Sequence, residues 1–355
     1  MKLDFIRKEI LKDKPQDESK LGFGRIFTDY MLMMKRGADM GWYYAAIEPF
    51  ADISLSPAAM VLHYAQEVFE GLKAYRAKDG RILLFRPWDN VKRFAESAAR
   101  MSMVSFDGDF LLNALYELVS VEKDWIPRSA GTSLYIRPTY IGIDPFVGVA
   151  AATEYLLYII LSPVGAYYPQ GLAPVDIFVE SKYVRSVKGG TGSYKAGANY
   201  AMSLLAAEEA HRNGFTQVLW LDAVENRYIE EVGSMNIFFK INGELITPAL
   251  QGSILPGITR DSIIRLTRDM GMPVTERKIS ITEIEEAQKA GKLEEVFGSG
   301  TAAVVSPVGK LVWGEKTIVV GDGGMGKVTR LLYDTLTDIQ YGRREDPYGW
   351  TFELK

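Results

Sequence analysis

Apolar and polar positions along this chain change period often, and the changes mark out short elements. Residues 72–75 (LKAY) and 81–85 (RILLF) flank Lys78-Asp79-Gly80, a turn signal, and predict a β-hairpin across 71–87. Asp89 is placed to cap a helix that runs through Arg93 to about residue 101. Residues 133–143 and 154–161 are apolar stretches that predict strands. Segment 162–174, SPVGAYYPQGLAP, is interrupted by prolines and glycines and reads as an interdomain connection. Beyond it, VDIFVE (175–180) predicts a strand and KGGTGSYKAG (188–197) a glycine-rich loop. A helix over 198–213 is expected to stop at Gly214, and QVLWLD (217–222) predicts a strand. NIFFKINGELIT (236–247) predicts a second hairpin turning at Asn242-Gly243. LPG at 255–257 leads into a helix over about 259–270, and Thr282 with Glu285 forms a capping box for another. Strands and helices mix without a regular βαβ rhythm. The expected fold class is α+β, as two α/β domains: 1–161, a connection at 162–174, and 175–355.

Composition narrows the chemistry. A length of 355 residues exceeds one ordinary core. A net charge of -4 gives no basic field for nucleic acid. The absence of cysteine removes disulfides, thiolate metal sites and a cysteine nucleophile. With only His63 and His211, the second in a polar helical stretch, neither a histidine metal cluster nor a Ser–His–Asp triad is expected. Residues 1–20 lack the apolar core of a signal peptide, and no stretch reaches the ~20 apolar residues of a spanning helix. A cytoplasmic enzyme without membrane association is the expectation.

Candidate chemistry gathers in small-residue segments. Gly189-Gly190-Thr191-Gly192-Ser193-Tyr194-Lys195 lacks phosphate-loop spacing, because Lys195 is not followed by Ser or Thr. What it offers is a lysine among residues small enough for a flat group to lie against the backbone, although a solvated loop lysine has the same local pattern. Glu230 and Glu231 precede an apolar strand, as a solvated edge or as a carboxylate aimed at a cationic ring nitrogen. The helix opened by Leu255-Pro256-Gly257 presents backbone amides at Ile258 and Thr259 that suit an anion, and Phe297-Gly298-Ser299-Gly300-Thr301-Ala302 is a further small-residue loop.

In chain order, FGRIFTDYM, LHYAQEVFEGLKAY, LFRPWDNVKRF, SLYIRP, SPVGAYYP, GGTGSYKAGANY, EEVGSMNIF, ILPGITRDS and FGSGTAAVVSPVG together resemble the fold-type-IV pyridoxal-phosphate enzymes. Within them the chain resembles the larger-type branched-chain amino acid aminotransferases, from about Phe23 into the C-terminal region. The resemblance implies pyridoxal 5'-phosphate as cofactor, with Lys195 as its Schiff-base lysine and Tyr200 on its phenolate oxygen. It implies Glu231 at the pyridine nitrogen, and Arg93, Ile258, Thr259 and Thr301 at the phosphate. Ser234 and Ala302 correspond to the substrate-carboxylate site. Phe23, Tyr64, Phe69, Tyr135, Arg137, Tyr167 and, from a second subunit, Val149 correspond to the side-chain pocket. The implied reaction moves the amino group of leucine, isoleucine or valine to 2-oxoglutarate, in a homodimer. A D-amino acid aminotransferase, an aminodeoxychorismate lyase or a non-catalytic pyridoxal-phosphate binder would keep Lys195 and Glu231; the SLYIRP and LHYAQEVFEGLKAY context resembles the branched-chain group instead. Larger-type relatives can carry a CxxC pair after GTA. Here Ala303-Val304-Val305-Ser306 stands in its place, so no redox pair is expected.

Overall fold

The structure, a computed structural model, describes residues 1–165 and 172–354. The chain forms two compact units: Met1–Pro169 with Tyr194–Ala198 and Asp338–Lys355, and Gln170–Ser193 with Asn199–Thr337. Both combine a mixed sheet with helices, the expected α+β architecture. Of the connection expected at 162–174, residues 162–164 complete a strand and 166–171 lie outside the described residues.

The first unit is built on β1 (Asp4–Phe5), β2 (Tyr30–Gly37), β3 (Gly41–Pro49), β4 (Glu67–Phe69), β5 (Leu72–Arg76), β6 (Ile82–Phe85), β7 (Ser133–Gly142) and β8 (Tyr155–Val164). Their order is β1-β3-β2-β8-β7-β5-β6, with β4 also on β7. The sheet ends in Thr351–Leu354, antiparallel to β6, a segment expected in the second domain. Helices α1 (Met60–Tyr64), α2 (Pro87–Arg100) and α3 (Gly108–Val121) accompany it. Leu32, Leu134, Ile136 and Leu157 of the sheet form one core with Phe94 of α2 and Leu115 and Leu118 of α3. The β5–β6 hairpin is present as expected. The start of α2 differs: Arg86 takes the N-cap position at φ 51°, Pro87 follows it, and Asp89 lies inside the first turn, accepting from Arg86 Nε at 2.6 Å. Proline's fixed φ suits the first helical position, so it sets the start.

The second unit is built on β9 (Val175–Val179), β10 (Gln217–Leu221), β11 (Ile229–Val232), β12 (Asn236–Ile241), β13 (Glu244–Pro248), β14 (Val274–Arg277), β15 (Leu293–Gly300), β16 (Val304–Trp313) and β17 (Lys316–Val319). The order is β11-β10-β9-β16-β15-β12-β13-β14, with β17 on β16. Asn242 and Gly243 turn the β12–β13 hairpin at φ 50° and 82°. The single helix expected over 198–213 is two, α4 (Gly197–Ala201) and α5 (Leu204–Arg212). Ser203 separates them, its hydroxyl and N–H both donating to Tyr200 O. Helices α6 (Ile258–Asp269), α7 (Ile281–Lys289) and α8 (Lys327–Gln340) follow. The α7 cap is Ser280, whose Oγ accepts from Glu283 N at 3.1 Å. The expected Thr282–Glu285 box does not form; Glu285 pairs with Lys289 and Lys316 instead. A bridge from Ser280 to Tyr228 holds the chain extended there, so the helix starts at the first Ser/Thr-x-x-Glu pattern rather than the second. Among the described residues no helix is long and apolar enough to cross a membrane.

Candidate active site

The Lys195 segment packs within the first unit. Lys195 N–H donates to Ser97 Oγ at 3.0 Å, Phe69 N–H donates to Lys195 O at 3.0 Å, and Ala196 bridges to Val68. Backbone on both sides of the amine is therefore pinned, and Nζ stands 4.6 Å from the centroid of the Phe69 ring.

Arg93 on α2 is buried and holds the buried Glu70 in a two-point pair, Nε to Oε1 at 2.7 Å and an Nη2 to Oε2 contact at 2.9 Å. Asn90 adds a donor at 2.7 Å. Burial alone would raise the Glu70 carboxyl, but the Arg93 guanidinium keeps it below its ordinary range. This pairing was not visible in sequence, because a Glu before Gly71 carries no local sign of its tertiary partner.

On β7, Arg137 Nη2 donates to the Tyr135 hydroxyl at 2.9 Å. The guanidinium lies 4.8 Å from the Phe69 ring centroid, and Phe23 packs on Tyr135 at 4.9 Å between centroids. Gly71 makes room, since a Cβ there would collide with the Tyr135 hydroxyl. Four expected pocket residues, Phe23, Phe69, Tyr135 and Arg137, thus meet in one cluster. Tyr64 sits at the end of α1, 38% exposed, with its ring beside His63. Val149 is 89% exposed. Tyr167 lies outside the described residues.

In the second unit, alternation along β11 sends Glu230 and Glu231 to opposite faces. Glu231, 2% exposed, lies 2.7 Å from Arg185 Nη1 and accepts from Asn236 Nδ2 at 3.3 Å. Arg185 is itself anchored on Ser253 O and Gly192 O. Glu230 instead accepts from the Ser253 hydroxyl at the wall of a cavity of about 190 Å³, and desolvation raises its pKa. Asn236 Nδ2 also donates to Leu255 O at 2.9 Å, and its Oδ1 occupies the place a Gly257 side chain would need. Asn236 thereby ties the Glu231 carboxylate to the start of α6. Arg185 and Asn236 were missed from sequence for the same reason as Glu70: their partners are distant in the chain.

Ile258 and Thr259 are the first residues of α6, buried, behind an extended Gly257 that provides no side-chain cap. Ser234 is exposed at the tip of the turn between β11 and β12. Thr301 and Ala302 are half-buried in the turn joining β15 to β16, and Tyr200 is half-buried in α4. The second unit offers a buried carboxylate already supported by a guanidinium and an amide, and a helix start with no side-chain cap, chemistry that suits a protonated ring nitrogen and a phosphate; the first unit offers an amine on a pinned backbone, chemistry that suits an aldehyde.

A family model described as amino-transferase class IV matches residues 67–311. Branched-chain-amino-acid aminotransferase 2 of Bacillus subtilis (strain 168) is 55% identical over 343 residues, 97% of this chain and 94% of that protein. This chain belongs to the class IV aminotransferases, among the branched-chain-amino-acid aminotransferases. Solved relatives share the fold. The Escherichia coli branched-chain amino acid aminotransferase matches with a TM-score of 0.75 at 30% identity, over 92% of this chain and 99% of that one. The branched-chain amino acid aminotransferase of Thermobaculum terrenum, solved in its PLP-form, matches with a TM-score of 0.73 at 25% identity, over 92% and 98%. The fold-type-IV expectation is met, and the class IV match begins at Glu67, on the strand that leads into the Phe69–Gly71 corner.

Proposed function

We propose that this aminotransferase uses pyridoxal 5'-phosphate to move the amino group of L-leucine, L-isoleucine or L-valine to 2-oxoglutarate, reversibly, giving the branched 2-oxo acid and L-glutamate. The observation that carries the choice of substrates is the cluster on β7: aromatic rings that suit a branched hydrocarbon surround one guanidinium–hydroxyl pair that suits a carboxylate. A hydrocarbon pocket separates substrates that differ by one methylene by only ~1–3 kcal/mol, so overlapping use of all three is expected.

When bound, the cofactor supplies an electron sink that acidifies the substrate's Cα–H. Lys195 would hold it covalently and act as base for the Cα proton. Glu231 would keep the ring nitrogen protonated, because an adjacent negative charge favours the charged form. Tyr200 would donate to the phenolate oxygen. Arg93, the amides of Ile258 and Thr259, and Thr301 would hold the phosphate, while Ser234 and Ala302 would place the substrate carboxylate. Phe23, Tyr64, Phe69, Tyr135, Arg137 and Tyr167 would line the side-chain pocket, with Val149 entering from a second copy in a homodimer. A cytoplasmic location goes with this reading.

A panel of amino donors against 2-oxoglutarate tests the proposal. Glutamate formation is expected with L-leucine, L-isoleucine and L-valine; activity confined to D-amino acids, or no turnover in the loaded protein, would overturn it. Borohydride reduction followed by peptide mapping should place the pyridoxyl label on Lys195, and a label on Lys182 or Lys188 would refute that assignment.

A further inference from the structure

We propose that Glu67 is a specificity-determining residue, the built-in counter-charge to Arg137 against which the second carboxylate of a dicarboxylic substrate must compete. The inference rests on the role given above to Arg137.

On β4, Glu67 stands opposite Ile141 of β7 and Phe69 opposite Thr139. On the other edge of β7, Ile160 stands opposite Arg137 and Tyr158 opposite Thr139. Opposed residues of an antiparallel pair share a face, as do residues two apart on one strand. Glu67, Phe69, Tyr135, Arg137 and Tyr158 therefore lie on one face of the first sheet. The Lys195 segment borders the same face: Nζ lies over Phe69, and a Cβ added at Gly197 would be 2.7 Å from Glu67 Oε2. Lys73, opposite Tyr135, adds a buried amine whose pKa desolvation lowers to about 8.

Among the described residues no carboxylate lies within ion-pair distance of Arg137, whose Nε is buried without a hydrogen-bond partner. The guanidinium thus retains capacity for an incoming acceptor. Glu67 is half-buried; desolvation raises its carboxyl above the ordinary value, and the field of Arg137 offsets part of that rise. The two groups consequently interact through space, without the contact that would consume the guanidinium's donors. A branched hydrocarbon side chain leaves this balance untouched. A second carboxylate at Arg137 adds an anion to a partly desolvated face that already carries Glu67, so Glu67 disfavours the dicarboxylate and spares the hydrocarbon. Such a residue would let one pocket accept both kinds of substrate without holding the dicarboxylate too tightly.

The test compares holoenzyme binding of glutarate and of 4-methylpentanoate, read from the cofactor absorbance, in wild type, Glu67→Gln and Glu67→Asp. Loss of that charge is expected to tighten glutarate on the order of five- to tenfold in Glu67→Gln, and less as salt rises. Binding of 4-methylpentanoate should stay within about twofold, because an apolar side chain has no charge to repel. Glu67→Asp, which keeps the charge, should retain wild-type selectivity. Equal shifts for both ligands, weaker glutarate binding in Glu67→Gln, or an aspartate variant that behaves like the glutamine variant would overturn the proposal. Wild-type protein that binds neither ligand would instead sink the proposed substrate reading itself, and this inference with it.

Discussion

In the proposed reaction Arg137 would bear the conflict between two unlike substrates. Its guanidinium is oriented by the Tyr135 hydroxyl and by the ring of Phe69, so a carboxylate reaching it meets donors already in place. Arg137→Met keeps much of the volume and removes the charge. In half-reactions with single amino acids, kcat/KM for glutamate should fall on the order of ten- to a hundredfold more than that for leucine. Equal losses would make Arg137 a purely structural residue. Glu231 presents a different case, since its carboxylate already balances the buried Arg185. Glu231→Gln should cut turnover severely while cofactor still binds, and should also lower Tm, because a buried guanidinium loses its counter-charge. Near-normal turnover would move attention to Glu230. Lys195, Glu231, Tyr135 and Arg137 could be named as candidates from sequence because each lies in a fragment whose order along the chain is distinctive. Arg185, Asn236, Glu70 and Glu67 could not, since what gives each its meaning is a tertiary neighbour that no local pattern encodes.

At the scale of elements, the junction of β2 and α3 stores a pH response. Glu122, the C-cap residue of α3 and 3% exposed, accepts from Tyr30 N on β2, while nearby Asp29 binds Lys8 and the Trp125 indole. Burial pushes the Glu122 carboxyl from an ordinary 4.5 up to about 7, and Asp29 adds to the rise. A carboxyl whose folded pKa is raised binds more protons folded than unfolded. Its contribution is fully present below the ordinary value and is lost as pH climbs through about 7. Glu122→Gln removes that loss, and is expected to stabilise the protein by roughly 1–3 kcal/mol near pH 8 with little change near pH 5. Thermal melts at the two pH values check this; equal effects at both would show that Glu122 does not titrate. Elements with a signal in their own residues were readable, as the Asn242-Gly243 turn shows. The break at Ser203 was not, because a serine that donates to the carbonyl three residues back looks in sequence like any helical serine.

At the scale of the molecule, Val149 is the clearest pointer to assembly. A valine 89% exposed, close to exposed Phe146 and Val147, is an apolar loop tip that a second copy would cover. Sedimentation should find a dimer, and activity per chain should fall on dilution below its dissociation constant. A fully active monomer would end that reading. The path of the chain has a consequence of a different kind. Five residues around the amine, Tyr194–Ala198, belong to the first unit although both flanks belong to the second, and the tail from Asp338 returns to the first. The polypeptide therefore passes from one unit to the other four times. Cutting the gene between Pro169 and Gln170 would not yield two autonomous halves: a fragment ending there lacks the lysine stretch and the last strand of its own sheet. Expressed alone, each half should aggregate or stay partly open, and the two should recover structure only when they fold in each other's presence.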